Sequence, residues 1–411
     1  MRRGGEKRNL LTTNRGFLLY WSGRTTSIAG NQLARVALTV LVYELRGGAA
    51  GVSVLLLAFI IPRLIGPLAG VLADRADSKR LMVGCDLAQA VLFGVLAWVR
   101  WWPGVIIIVL VASLFATLYF PAGRSNIPAL VGRENLARAN TLLAIGANTA
   151  LAAGPAVAGL LLAFGGPGVA LLVNAATFVV SAILTMRIPG LRTGSGTRAA
   201  GAPVTMFGVA RAGFAIAWRN PVARTVAIVL LPGVGFASLD NAPMIFLVRN
   251  GFHASASVYS WMVTALSIGM AGLPLLLSAM SRSLSGRTLF LGGAGVFGAA
   301  TIATGLSPAL AGGIGAQFVA GAGNGMENIG IDTVLQESTA DEEMGTVFGT
   351  VYTTPYIGQI IAYLVATPCI LAFGPRTTFV IAGIGVLVVT AISFVALPPA
   401  IKAEASERRG S

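Results

Sequence analysis

The residues of this chain that can do chemistry are ionisable groups set inside long apolar runs. One run, near 17–43, holds Arg24, Asn31, Gln32 and Arg35. Another, near 225–248, holds Asp240 and Asn241, and a third, near 309–335, holds Asn324, Glu327, Asn328 and Asp332. Arg124 and Asn126 stand at the end of a fourth, near 104–125. A carboxyl in apolar surroundings takes up and releases a proton near neutral pH when hydration and charge partners allow, as proton-coupled transport requires. Asp240 and Glu327 are the leading candidates for that role, with Asp332 a third, nearer the end of its run. At about 1.5 Å per residue, Asp240 lies near the middle of its run and Arg35 at a similar depth. The alternative is a permanent ion pair, Asp240 with Arg35 or Asp332 with Arg124. Asp86, one turn into a run near 81–99, reads as an interfacial or loop-bracing acid, and the single histidine, His253, as a solvated loop residue.

A second constellation is the string Gly70-Val-Leu-Ala-Asp-Arg-Ala-Asp-Ser-Lys-Arg-Leu-Met82. Its five charges, Asp74, Arg75, Asp77, Lys79 and Arg80, fall in seven residues between apolar runs near 51–72 and 81–99. Such a cluster cannot lie in hydrocarbon, so it marks a tight loop between two membrane helices. Gly70 is expected where the first of those helices approaches another backbone closely. Asp74 is placed to accept hydrogen bonds from free amides at a helix N-terminus, and the basic residues favour the cytoplasmic side. A plain solvated turn would account for Lys79 and Arg80 but not for the whole string.

The elements that must position these residues follow from composition. Of 411 residues, 55% are hydrophobic and 11% charged, against about 25% charged in soluble proteins. Runs of about twenty apolar residues, the length of a membrane span, fall near 17–43, 51–72, 81–99, 104–125, 139–164, 168–188, 225–248, 256–280, 288–306, 309–335, 346–373 and 377–397. The expected fold is therefore an all-α membrane protein of twelve transmembrane helices, with both termini on one side. With the termini cytoplasmic, 22 of the 29 Lys and Arg fall in inner segments and four in outer loops, a strong positive-inside asymmetry. That asymmetry explains the net charge of +14 without nucleic acid. The basic start of the chain is followed by a full-length span without a small-residue cleavage site, so no removable leader is expected.

The Gly70–Met82 string resembles the cytoplasmic loop motif between helices 2 and 3 of the major facilitator superfamily. With Asp77 where many members carry Gly, it is similar to the macrolide-efflux and enterobactin-exporter branch. The resemblance implies two six-helix halves that alternate access to a central site, with spans 1, 4, 7 and 10 lining it. It also implies that Asp74 caps span 11 near Gly345 and Thr346, and that Arg75 pairs with an acid near the end of span 4. No acid stands there, and the nearest is Glu134 in the following loop. In span 5, Gly146 and the segment Gly154-Pro155-Ala-Val-Ala-Gly159 form a small-residue ridge suited to close helix packing, with a break or bend at Pro155. The ridge resembles the superfamily's exporter motif, with Leu160 replacing its last Gly; generic glycine packing is the alternative.

The halves repeat at an offset of 207, which brings Pro67-Leu-Ala-Gly-Val-Leu-Ala-Asp-Arg onto Pro274-Leu-Leu-Leu-Ser-Ala-Met-Ser-Arg and Arg80 onto Arg287. Residues 1–188 form the first half and 225–397 the second. Between them, 189–224 is a cytoplasmic linker whose residues 204–218 have the spacing of an interfacial amphipathic helix, and 398–411 form a cytoplasmic tail. The acids Glu337, Asp341, Glu342 and Glu343 make the one acidic inner loop, facing the basic loops as an inner-gate set or simply solvated. No Walker-type string, His/Cys metal cluster or Ser-His-Asp set occurs, so neither ATP use, a metal, a cofactor nor enzymatic chemistry is expected. The sequence predicts a monomeric carrier of the inner or plasma membrane that exports an amphipathic small molecule (a drug, antibiotic or siderophore) in exchange for protons. Competing readings are an uncoupled carrier or flippase of a lipid-like substrate, and a non-transporting receptor on the same fold.

Overall fold

The computed structural model describes residues 10–189, 218–279, 284–339, 347, 351 and 353–397, and every regular element among them is helical. The expected interfacial helix at 204–218 lies almost entirely outside these residues. So do Asp341, Glu342, Glu343, the span-11 start at Gly345 and Thr346, the tail, and the Asp74 side chain.

The chain forms α1 (Leu10–Thr13), α2 (Arg15–Glu44), α3 (Gly48–Ile60), α4 (Gly66–Arg75), α5 (Ser78–Leu96), α6 (Trp102–Ser125), α7 (Ile127–Val131) and α8 (Leu136–Met186). After the linker come α9 (Pro221–Ser238), α10 (Pro243–Phe246), α11 (Ala256–Ala279), α12 (Gly286–Leu306), α13 (Leu310–Ser338) and α14 (Thr354–Ala396). Six segments are long and apolar enough to cross a membrane: Gly48–Ile65, Trp102–Val131, Arg133–Met186, Pro221–Gly251, Gly286–Leu306 and Thr354–Ala396. Two of them, of 54 and 43 residues, far exceed one crossing. Each contains a glycine with a left-handed backbone, Gly166 (φ 70°) in α8 and Gly374 (φ 76°) in α14, and each glycine precedes a proline. A residue before proline is driven out of the helical region, and proline restarts a helix well, so each long segment is two rods joined by a one-residue corner.

Two compact units divide the chain, Met1–Leu41 with Ile65–Ala200 and Val42–Leu64 with Gly201–Ser411. The boundary near residue 64 falls at a real irregularity. The expected single span 51–72 is three pieces, α3, a 3-10 turn at Ile61–Ile65 and α4, because Pro62 and Pro67 remove backbone donors from the helix ladder. In the first unit, Phe17, Tyr20, Met82, Cys85, Tyr119 and Ile188 share one core, and α5 packs between α6 and α8. In the second unit, α13 packs against both α11 and α12, α9 and α12 pack against α14, and α3 packs against α14, where Thr367 Oγ1 donates to Ser53 Oγ at 3.0 Å.

Glycines set the closest contacts. A Cβ on Gly154 would sit 2.6 Å from the Ala29 carbonyl oxygen, so the ridge expected on span 5 packs backbone to backbone against α2. Trp21 of α2 fixes the register there by donating its indole N–H to the Leu142 carbonyl at 2.7 Å. Pro155, expected to break or bend this helix, does not break it. It and Gly159 are buried on the packed face, and the one non-helical residue in α8 is Gly166. Gly70 also differs from expectation: a Cβ there meets open space, so among the described residues no backbone approaches it.

Candidate functional site

The polar residues of the second unit converge because one helix is interrupted. The sequence reads 225–248 as a continuous span, but α9 ends at Ser238 and α10 begins at Pro243, leaving Asp240 and Asn241 in the unwound turn between them. Pro243 explains the restart, since a proline is tolerated in the first helical turn, where its missing N–H costs nothing. Asn241 Nδ2 donates to Asp240 Oδ1 at 3.0 Å and to the Ser238 carbonyl at 3.1 Å, which ties the turn together. Asp240 is buried, 4% exposed.

Opposite the turn, α13 presents Asn324, Glu327 and Asn328, spaced three and four residues apart and therefore on one face. Asn328 Nδ2 donates to Asn324 Oδ1 at 3.0 Å. The depth of this face is set by glycines whose added Cβ atoms would collide with a neighbouring backbone: Gly321 and Gly325 against α11, and Gly323 and Gly330 against α12. Gly293 of α12 likewise abuts the Glu327 amide. Asp240, Asn241, Asn324, Glu327, Asn328 and Gln359 of α14 line a cavity of about 320 Å³, with apolar walls that include Val234, Met244, Leu266 and Phe297. Glu327 also borders a small void of about 10 Å³ between Val229, Phe290 and Val389. Among the described residues no hydrogen bond or ion pair engages its carboxylate; apolar burial is what surrounds it.

Asp240 and Glu327 thus share one cavity. Asp332 does not line it and already has a polar or electrostatic partner. Arg35 and Arg124 belong to the other unit. Arg35 is half-buried, whereas Arg124 is exposed with its guanidinium 5.2 Å from the Phe120 ring centroid. A cavity with two carboxyls, four carboxamides and apolar walls suits an amphipathic guest that carries donors or positive charge. Among the described residues no three His, Cys, Asp or Glu side chains gather as a metal site.

In the loop between α4 and α5, Asp77 and Lys79 make local contacts. Asp77 is the N-cap of α5, accepting the Arg80 amide at 3.0 Å. Its ion pair with Arg80, at 3.9 Å, involves an Arg side chain that is 91% exposed, so it adds little. Lys79 Nζ donates to the Ile188 carbonyl at 3.1 Å, just past the C-terminus of α8, where a cation also offsets the helix dipole. Arg75 is exposed.

One polar centre departs from the sequence reading. Asp86, expected at an interface or loop, is 1% exposed in the core of the first unit and accepts Ser181 Oγ on Oδ2 at 2.8 Å. The sequence signal was only that an acid stands within an apolar run. Its partner, 95 residues away, was not visible.

Residues 12–410 match the family described as transmembrane secretion effector. YfiS, an uncharacterised MFS-type transporter of Bacillus subtilis, is 24% identical over 365 residues, 86% of each chain. The multidrug efflux pump Tap of Mycolicibacterium fortuitum is 30% identical over 305 residues, 69% of this chain and 71% of its own. The crystal structure of the nucleoside transporter NupG shares the fold with a TM-score of 0.71 at 13% identity, covering 93% of this chain and 98% of that one.

Proposed function

This chain belongs to the transmembrane secretion effector family of the major facilitator superfamily, and from that premise we propose that it exports an amphipathic small molecule in exchange for protons. As a member of that family it is a multi-pass membrane transporter rather than an enzyme. In our reading it crosses the cell membrane twelve times as two six-helix halves, with both termini cytoplasmic, and works as a monomer by alternating access. The corners at Gly166 and Gly374 support the repeat, since they fall within one residue of the 207-residue offset.

The observation that carries the reading is the shared cavity of Asp240 and Glu327, opened by the interrupted helix between α9 and α10. Unwound backbone at membrane depth is tolerated where it lines a cavity, and transporters of this kind place substrate at such breaks. Asp240 and Glu327 carry the exchanged proton, and substrate and proton compete for them. The Gly70–Arg80 string serves the inner gate, with Asp77 and Lys79 fixing the loop and Asp74 and Arg75 its movable contacts. Gly154, Pro155 and Gly159 give the first unit a tight α2–α8 seam that moves as one body.

The test is substrate-driven proton flux in proteoliposomes holding an internal pH dye. Wild type exchanges, while Glu327→Gln and Asp240→Asn bind substrate without moving protons. Transport of a bound compound with no accompanying proton flux overturns the exchange reading and favours an uncoupled carrier.

A further inference from the structure

The first unit holds a polar centre that the export reading leaves unused. Asp86 on α5, Tyr119 on α6 and Ser181 on the second rod of α8 meet in its core, exposed by 1%, 7% and 0%. Ser181 Oγ donates to Asp86 Oδ2 at 2.8 Å, and Tyr119 packs in the same core as the neighbouring Cys85. Among the described residues Asp86 Oδ1 has no hydrogen-bond partner, and neither does the enclosed Tyr20 hydroxyl from α2. Arg24, one turn beyond Tyr20, acts electrostatically on Asp86, Tyr20 and Tyr119 but makes no direct ion pair with the acid; its guanidinium lies 5.4 Å from the Phe120 ring centroid. Cys85 is the neighbouring thiol on α5, and Arg75, the described titratable side chain of α4, is exposed. Ser181 is the contribution of α8, and it does not titrate.

Buried polar atoms in native proteins are almost always satisfied, and those that are not call for an explanation. A structural carboxylate at this depth would be matched by a direct cation or by several donors. Asp86 has one donor, a distant Arg and a bare oxygen. We propose that Asp86 is a proton-binding site of the first unit, holding the proton on the bare Oδ1 while Oδ2 keeps its hydrogen bond from Ser181. The proton arrives from water, forms one O–H bond at Oδ1 and returns to water, and no other bond changes. Its use in transport rests on the exchange reading above, but the site itself does not.

The experiment is infrared difference spectroscopy of the full chain in lipid nanodiscs, stepping the pH in the absence of substrate and reading the carbonyl stretch of neutral carboxyls. Wild type shows a titrating band that is lost in Asp86→Asn, shifted in Ser181→Ala and retained in Glu327→Gln. Asn can still accept from Ser181, so loss of the band there reports the proton and not the packing. A full band in Asp86→Asn overturns the proposal. Should that variant fail to fold, Ser181→Ala decides: an unshifted band overturns the site and a shifted one supports it. Proton flux separates the two readings. A titrating Asp86 band with no substrate-driven flux sinks exchange and leaves this site standing, whereas normal coupled flux in Asp86→Asn with no Asp86 band does the reverse.

Discussion

Replacing Gly154 with Ala tests whether the seam between α2 and α8 is as tight as its geometry. The added Cβ would lie 2.6 Å from the Ala29 carbonyl oxygen, 2.6 Å from Gln32 Cβ and 3.2 Å from the Leu33 amide. Two of these three atoms are backbone, so no side chain can swing aside to make room. Ordinary contact begins at 3.4 Å, so the helices must part by roughly 0.8 Å. Overpacking of this kind costs about 1–3 kcal/mol. Ala in place of a mid-helix Gly returns up to about 1 kcal/mol, leaving a net loss of about 0–2 kcal/mol. Gly70→Ala is the control. Its Cβ meets open space inside α4, so only the propensity gain remains, about 0.5–1 kcal/mol. The two variants should therefore differ by about 1–3 kcal/mol in denaturant unfolding of the purified protein in detergent. In a background with the other five tryptophans replaced by Phe, Trp21 emission reports the parting, because its indole bonds the Leu142 carbonyl on the same seam. A Gly154→Ala protein as stable as Gly70→Ala, with unchanged Trp21 emission, refutes the packing assigned to this helix pair.

Other substitutions probe single contacts. Asp77→Ala removes the N-cap of α5 and should cost about 1 kcal/mol in the same unfolding assay, whereas Arg80→Ala leaves stability unchanged because its side chain is 91% exposed. Lys79→Met frees the Ile188 carbonyl at a cost of about 1 kcal/mol, and hydrogen exchange should rise in the last turn of α8 and nowhere else. Arg376 donates to the carbonyls of Gly251, Gly305 and Ser307, tying the end of α12 to the turn after α10; Arg376→Met should cost on the order of 3 kcal/mol, and an unchanged midpoint would remove it from the fold's supports.

Helical character and family were legible because both rest on local signals: apolar runs of about twenty residues or more, and a charge string with a fixed pattern. The corners at Gly166 and Gly374 fall in the short gaps left between those runs, since Gly-Pro ends a helix by backbone sterics that need no tertiary partner. Interruptions inside a run were harder to see. Pro155 and Pro243 both stand inside long apolar runs, yet α8 continues through the first while the helix is interrupted before the second. The difference lies in what precedes each proline. Gly154 and its small neighbours let α2 pack against the helix and hold it, whereas Asp240 and Asn241 supply side chains that bond the turn instead of the ladder.

The same division explains which polar residues could be read. Asp240, Glu327 and their carboxamide neighbours belong to two stretches of chain, and helical spacing alone puts Asn324, Glu327 and Asn328 on one face. How deep that face sits depends on Gly321, Gly323, Gly325 and Gly330, which let the backbones of α11 and α12 close on α13; a glycine run announces close approach but not its partner. Asp86 had no such pattern around it. Its environment is assembled from Tyr20, Arg24, Tyr119 and Ser181 on three other helices, and only the packing of those helices distinguishes a buried acid with one donor from an interfacial acid in water. An isolated acid in an apolar run is therefore ambiguous until its neighbours across the bundle are known, and here those neighbours leave one oxygen bare.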